Sequence, residues 1–137
     1  MSYNREELVR TAVNAAKKSY SPYSNFCVGA ALLCADGEIF EGTNVENVSY
    51  GATNCAERTA FFDAVMNGKR DFVAIAIVGS KRGEEITSYC APCGICRQVM
   101  AEFCDKDFRL ILGTPDNFSA YAFSEILPYS FGKTDLE

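Results

Sequence analysis

Histidine is absent from the chain, and so is tryptophan. The first absence removes Ser/His and Cys/His nucleophilic sites, histidine general bases and every imidazole metal ligand, so a metal here has to sit on sulfur or carboxylate. The second excludes little. Also missing is any window rich in basic residues: 13 Lys and Arg face 18 Asp and Glu, for a formal charge of -5. Polyanion binders gather Lys and Arg to displace phosphate counterions, so the sequence argues against nucleic acid and membrane partners and for a small neutral or cationic ligand. No stretch approaches the ~18 apolar residues of a membrane span, and the opening MSYNREELVR lacks the apolar run of a secretory signal. The expected compartment is the cytoplasm, where cysteines stay reduced and closely spaced ones more often bind metal or react than form bridges.

Cysteine is what the chain has in quantity, with seven in 137 residues. That length suits a single domain, 1–137, and a 48% hydrophobic content can fill its core without disulfides. Asn4 and Glu7 form a capping-box arrangement ahead of Leu8, Val9, Ala12, Val13 and Ala16, which predicts a helix from Arg5 to Lys18. A loop, SYSPYSNF, precedes a strand from Cys27 to Cys34, and Asp36-Gly37 turns it into a second strand over Glu38 to Thr43. Asn44 to Asn54 reads as a polar loop. A second helix opens near Asn54 or Cys55 and stops at Asn67-Gly68. The apolar run Phe72 to Val78 has the length and composition of a strand covered on both faces.

A charged loop, Ser80 to Thr87, leads to Pro92, expected in the first turn of a third helix that carries Val99, Met100 and Phe103. Strands follow at Arg109 to Leu112 and, as an edge, at Ser119 to Ala122, with Ser124 as the cap of a last short helix ending before Pro128. The order of elements implies one mixed sheet flanked by helices.

Cys93 and Cys96 in PCGIC are spaced so that both sulfurs leave one face of an opening helical turn and can grip one metal. Cys55, at another helix start, is the natural third ligand, because helix N-termini stabilise thiolates. Three cysteines leave one zinc position open for water, as in a catalytic site. Glu57 then stands where its carboxylate can reach the open position and move a proton between zinc-bound water and a substrate nitrogen. Arg58 has an electrostatic reason to lie nearby, since three thiolates and a hydroxide leave zinc with excess negative charge. Two readings compete with this one: a lone CxxC is also a redox pair or half of a structural zinc site, and Cys90 with Cys55, Cys93 and Cys96 makes a closed four-cysteine site. Cys27, Cys34 and Cys104 lie in apolar stretches and read as small core residues.

CAE followed by PCxxC is the signature of zinc deaminases with cysteine in the place of histidine. Through PYSNFCVGAAL, GTNVENVSYG, NCAERTA, PCGICRQ and EILPYSF the chain resembles, nearly end to end, the small homotetrameric cytidine deaminases. The resemblance implies an α/β fold, a three-layer α/β/α sandwich on a mixed five-stranded sheet. It implies one Zn2+ per subunit on Cys55, Cys93 and Cys96, with Glu57 as the proton shuttle while zinc-bound hydroxide attacks C4 of cytosine. Asn44 and Glu46 then hold the ribose hydroxyls, Phe26 packs on the pyrimidine, and the backbone of Ala56 meets the base. Phe131 comes from a neighbouring subunit and Tyr50 faces the site across that interface, so that the sites lie between the subunits of a homotetramer.

Arg58 and Gln98 stand behind these contacts. The activity implied is hydrolytic deamination of cytidine and 2'-deoxycytidine to uridine and 2'-deoxyuridine, with release of ammonia, in pyrimidine salvage. Two departures are visible: Ala91 stands where Ser is common, and the loop from Lys81 to Glu85 is long. The rival enzyme is a deaminase of another cytosine-containing molecule, of the blasticidin S type; a zinc-stabilised binding module without activity is the rival of a different class.

Overall fold

The computed structural model describes residues 2–137. Helix α1 spans Arg5–Ala16, and its N-cap is Asn4, whose side chain accepts a hydrogen bond from the Glu7 N–H at 3.1 Å. It ends two residues before the Lys18 expected from the sequence. Strands β1 (Phe26–Cys34) and β2 (Ile39–Thr43) form an antiparallel hairpin, with Gly37 at a φ of 93° in its turn. Helix α2 (Ala56–Met66), strand β3 (Phe72–Lys81), helix α3 (Gly94–Phe103), strands β4 (Arg109–Thr114) and β5 (Asn117–Ala122) and the short helix α4 (Phe123–Ile126) complete the main elements.

The five strands lie in the order β2-β1-β3-β4-β5; β3 and β4, joined through α3, are parallel and every other pair is antiparallel. In the central strands both faces are buried, which is why β3 reads as an unbroken apolar run. Ala30, Leu32, Ile75, Ile77, Leu110 and Leu112 point to one face, where Ala56, Ala60, Phe61 and Ala64 of α2 and Met100 of α3 cover them. Ala31, Ala74, Ala76, Val78 and Ile111 point to the other, against Leu8, Val9, Ala12 and Ala16 of α1. The result is the three-layer α/β/α sandwich on a mixed five-stranded sheet. Two glycines set its thickness. A Cβ on Gly29 would stand 1.9 Å from the Ala12 carbonyl oxygen of α1, and one on Gly42 would stand 2.1 Å from the Ala56 carbonyl oxygen of α2.

Several boundaries differ from the sequence reading. Pro92 lies before α3 and not in its first turn, because Cys93 is the N-cap. Ser124 is not a cap: α4 starts one residue earlier, with Phe123 buried and its N–H bonded to the Phe108 carbonyl at 2.8 Å. Strand β3 runs on through Lys81, taking Ser80 and Lys81 from the expected loop. The 44–54 segment is more ordered than a polar loop. It holds a 3-10 turn at Tyr50–Ala52, and Val45 is bridged to both Tyr20 and Asn54.

Candidate active site

The N-termini of α2 and α3 converge on the same end of the α2/α3 layer. Cys55 and Cys93 are their N-cap residues, and neither side chain caps its own helix, so both sulfurs are free for another partner. Cys96, buried in the first turn of α3, brings the third. The three Sγ atoms all lie within 4.8 Å of one another, and those of Cys55 and Cys93 are 3.7 Å apart. Zinc bound to thiolates at ~2.3 Å in tetrahedral geometry needs an S–S edge of about 3.8 Å, which the Cys55–Cys93 pair already has, so this all-sulfur donor set suits zinc. Cys90 is not a member. It lies off the helix and packs on β3, with its Sγ only 2.9 Å from where a Cβ of Gly79 would be.

The electrostatics follow from the geometry. Cys55 is drawn down to about 5, first by the hydrogen bond from the Cys96 thiol and then by Arg58, whose Nη2 donates to its Sγ at 3.3 Å. Cys96, the other partner of that bond, is pushed up, with burial adding to the rise. Burial and the charges of Glu57 and Cys55 raise Cys90 to about 11, which suits an inert thiol. Glu57, in the first turn of α2, is only 4% exposed, and burial pushes its carboxyl up to about 7. A carboxyl poised there exchanges protons readily near neutral pH.

The segment carrying Asn44 and Glu46 is held beside this cluster by backbone bonds. Val45 and Asn54 donate to each other's carbonyls at 2.9 Å, which fixes the strand-like stretch next to Cys55. On the other side, Tyr20 and Glu46 exchange a further bond of 2.8 Å from the Glu46 N–H. The Glu46 carboxylate accepts from the Tyr23 N–H (2.9 Å), the Ser24 N–H (3.1 Å) and the Ser24 hydroxyl (2.5 Å), and these bonds, the hydroxyl's foremost, lower its pKa. It lines a cleft of about 360 Å³ together with Tyr23, Ser24, Asn47, Tyr50 and Thr53. Asn44 is buried: its Oδ1 accepts from the Ser19 hydroxyl at 2.6 Å and the Val28 N–H at 3.0 Å, and its Nδ2 donates to the Phe26 carbonyl at 2.8 Å. One Nδ2–H remains for a ligand.

Phe26 is half-buried at the start of β1, and the edge atoms of its ring come within 2.8 Å of the place a Cβ of Gly79 would take, beside Cys90. Ala56 is buried in the first turn of α2, where backbone N–H groups have no helical acceptor. Tyr50 is 76% exposed and meets Tyr23 edge-on at 6.1 Å. Phe131 does not line the cleft of its own chain; it is exposed, and its carbonyl accepts from Gln98 Nε2 at 2.8 Å, so Gln98 holds the C-terminal segment against α3. Gly79 carries no signal in the sequence; only the fold brings the Phe26 ring against it. The sequence reading also gave no task to Arg97, whose Nε and Nη1 fasten the Pro92 and Ile126 carbonyls at 2.9 and 2.7 Å and so brace the loop before Cys93.

Residues 2–112 match the family described as the cytidine and deoxycytidylate deaminase zinc-binding region. The chain is 46% identical to the cytidine deaminase of Halalkalibacterium halodurans over 97% of its own length and 98% of that protein's. It is 42% identical to the probable cytidine deaminase of Dictyostelium discoideum, over 97% and 89%. Among solved structures it is similar to the cytidine deaminase of Burkholderia pseudomallei, with a TM-score of 0.86, 43% identity and coverage of 94% and 100%. It is similar also to that of Mycobacterium tuberculosis, with a TM-score of 0.79, 36% identity and coverage of 96% and 99%.

Proposed function

The chain belongs to the cytidine and deoxycytidylate deaminase family, and on that premise we propose that it hydrolyses cytidine and 2'-deoxycytidine to uridine and 2'-deoxyuridine, releasing ammonia. The observation that carries this reading is the meeting of three sulfurs and one buried carboxyl at two helix N-termini, with NVEN stapled alongside. Cys55, Cys93 and Cys96 hold the metal. Zinc, when bound there, supplies the Lewis acidity that makes water a nucleophile near neutral pH.

Everything else falls to the chain's own groups. Glu57 takes a proton from the attacking water and gives it to cytosine N3; a second proton passes by the same carboxylate to the amine at C4, which leaves as ammonia while C4 becomes a carbonyl. Arg58 draws charge from the Cys55 thiolate through its 3.3 Å bond. Phe26 supports the flat face of the pyrimidine and the Ala56 backbone meets its edge. The free Nδ2–H of Asn44 and the Glu46 carboxylate hold ribose hydroxyls, groups that want one donor and one strong acceptor.

Phe131 is exposed and does not line the cleft at Glu46, which suits delivery to a neighbouring subunit, with Tyr50 facing the same interface and Gln98 bracing the segment. We therefore read the assembly as a homotetramer with interfacial sites, acting in pyrimidine salvage in the cytoplasm. Among the described residues no helix is long and apolar enough to cross a membrane. Zinc analysis combined with an ultraviolet assay of cytidine, 2'-deoxycytidine, cytosine and blasticidin S tests the proposal. One zinc per subunit and turnover of both nucleosides but not blasticidin S is the expected result. Turnover of blasticidin S alone, or of none of the four, overturns it.

A further inference from the structure

The long loop after β3 sends one side chain back into the protein. Arg82 is a surface residue, yet its Nη2 donates to the Ser21 hydroxyl at 3.0 Å and to the Ser19 carbonyl at 3.1 Å. Ser21 is 1% exposed and Ser19 is 8% exposed. Their hydroxyl oxygens are 3.0 Å apart, and the Ser19 oxygen is 2.6 Å from Asn44 Oδ1.

The protons in this line can run in only one direction. A guanidinium only donates and an amide oxygen only accepts, so Ser19 must give its proton to Asn44 and Ser21 must give its proton to Ser19, while Ser21 accepts from Arg82. The other neighbour of the Ser21 hydroxyl, Cys27 Sγ at 3.6 Å, is a weak competitor. The chain begins at a fixed positive charge and ends on the amide whose one spare N–H was assigned to the ribose.

We propose that Arg82 is a positioning residue for nucleoside recognition, holding the Asn44 amide in place through Ser21 and Ser19. The proposal rests on the reading of Asn44 as a ribose contact. Val28 N–H and Phe26 C=O already decide which end of the amide is oxygen; the short bond from Ser19 decides where the amide sits. Arg82 steadies the aromatic side of the pocket as well. Its backbone N–H donates at 2.9 Å to the carbonyl of Asn25, which has a left-handed φ of 59° immediately before Phe26.

The test compares cytidine with 2',3'-dideoxycytidine, which keeps the base but lacks both ring hydroxyls. In Arg82→Met the ratio of kcat/KM for cytidine to that for the dideoxynucleoside should fall about tenfold, mainly through KM for cytidine, with zinc content unchanged. Arg82→Lys, which keeps a charged donor, should recover part of it. The ratio does not depend on the fraction of active enzyme, so a modest loss of stability leaves it readable. Asn44→Ala serves as the reference arm. If it loses the ratio and Arg82→Met does not, or if Arg82→Met slows both nucleosides equally, the positioning role is overturned and the ribose reading stands. If Asn44→Ala leaves the ratio unchanged, the ribose reading fails and the proposal with it.

Discussion

Two carboxylates near the metal cluster live in opposite surroundings, and their titration differs accordingly. Glu57 is desolvated inside the first turn of α2 and is pushed up to about 7, whereas Glu46 accepts three hydrogen bonds at the surface and is lowered from its ordinary 4.5. A carboxyl with a lowered folded pKa contributes stability that is fully present above its unfolded value and disappears as pH falls through the folded one. The difference in Tm between the wild type and Glu46→Gln should therefore stay constant above about pH 4.5 and shrink only below it, as thermal melts across that range would measure. A difference that shrinks already between pH 7 and 5 would contradict this. The cluster of Cys55, Cys93 and Cys96 was legible at this scale in the CAE and PCxxC motifs, because both halves sit at helix starts that local sequence sets. The surroundings of Asn44 were not legible: its amide is spent on Val28, Phe26 and Ser19 save for one N–H, which no spacing reveals.

At the scale of elements, the site depends on how closely each helix lies on the sheet. Gly42 allows the α2 backbone to touch β2, and Gly29 does the same for α1 on β1. A methyl group at Gly42 has no flexible neighbour to push, since the nearest atoms are the Ala56 carbonyl and the Ala60 N at 2.6 Å. Gly42→Ala should cost about 2–3 kcal/mol in urea unfolding and lower zinc retention in chelator competition, because α2 carries Cys55 into the cluster. Gly29→Ala should destabilise by a similar amount and leave zinc retention intact once the protein is folded, since α1 is on the opposite face. Gly51→Ala, which meets nothing within 4 Å, is the neutral control. The Asn4 cap and the Asp36-Gly37 hairpin could be foreseen from the sequence because both are made within a few residues. The start of α3 could not. A proline looks equally at home in a first turn or just before the cap, and what decides between them is the use of Cys93 as N-cap with its sulfur turned to the cluster.

The molecule as a whole carries apolar and aromatic side chains that its own core does not cover, including Val48, Tyr50, Ile95, Tyr129 and Phe131. Tyr50, beside the cleft, and Phe131, on the C-terminal segment, are the two assigned to the shared site. Light scattering should give a tetramer. Phe131→Ala should raise KM for cytidine while leaving zinc content unchanged, and mixing it with an inactive Glu57→Gln protein under subunit exchange should create some sites with an intact Glu57 and an intact Phe131, restoring part of the activity. A monomer with full activity would contradict the shared site. A mixed sheet flanked by helices was legible in the alternation of helices with apolar strands, and the motif strings carried the family resemblance that implied its three layers. The link from Arg82 to Asn44 was not legible, since it joins three loops that only the folded sheet brings together.

The central claim is that Glu57 moves the proton while the three cysteines hold the metal. It is tested most directly by Glu57→Gln, assayed for zinc content and for ammonia released from cytidine in the same preparation. Retention of zinc with turnover reduced at least ~10²-fold is the predicted result. Deamination at the wild-type rate by a zinc-loaded Glu57→Gln protein would contradict the account.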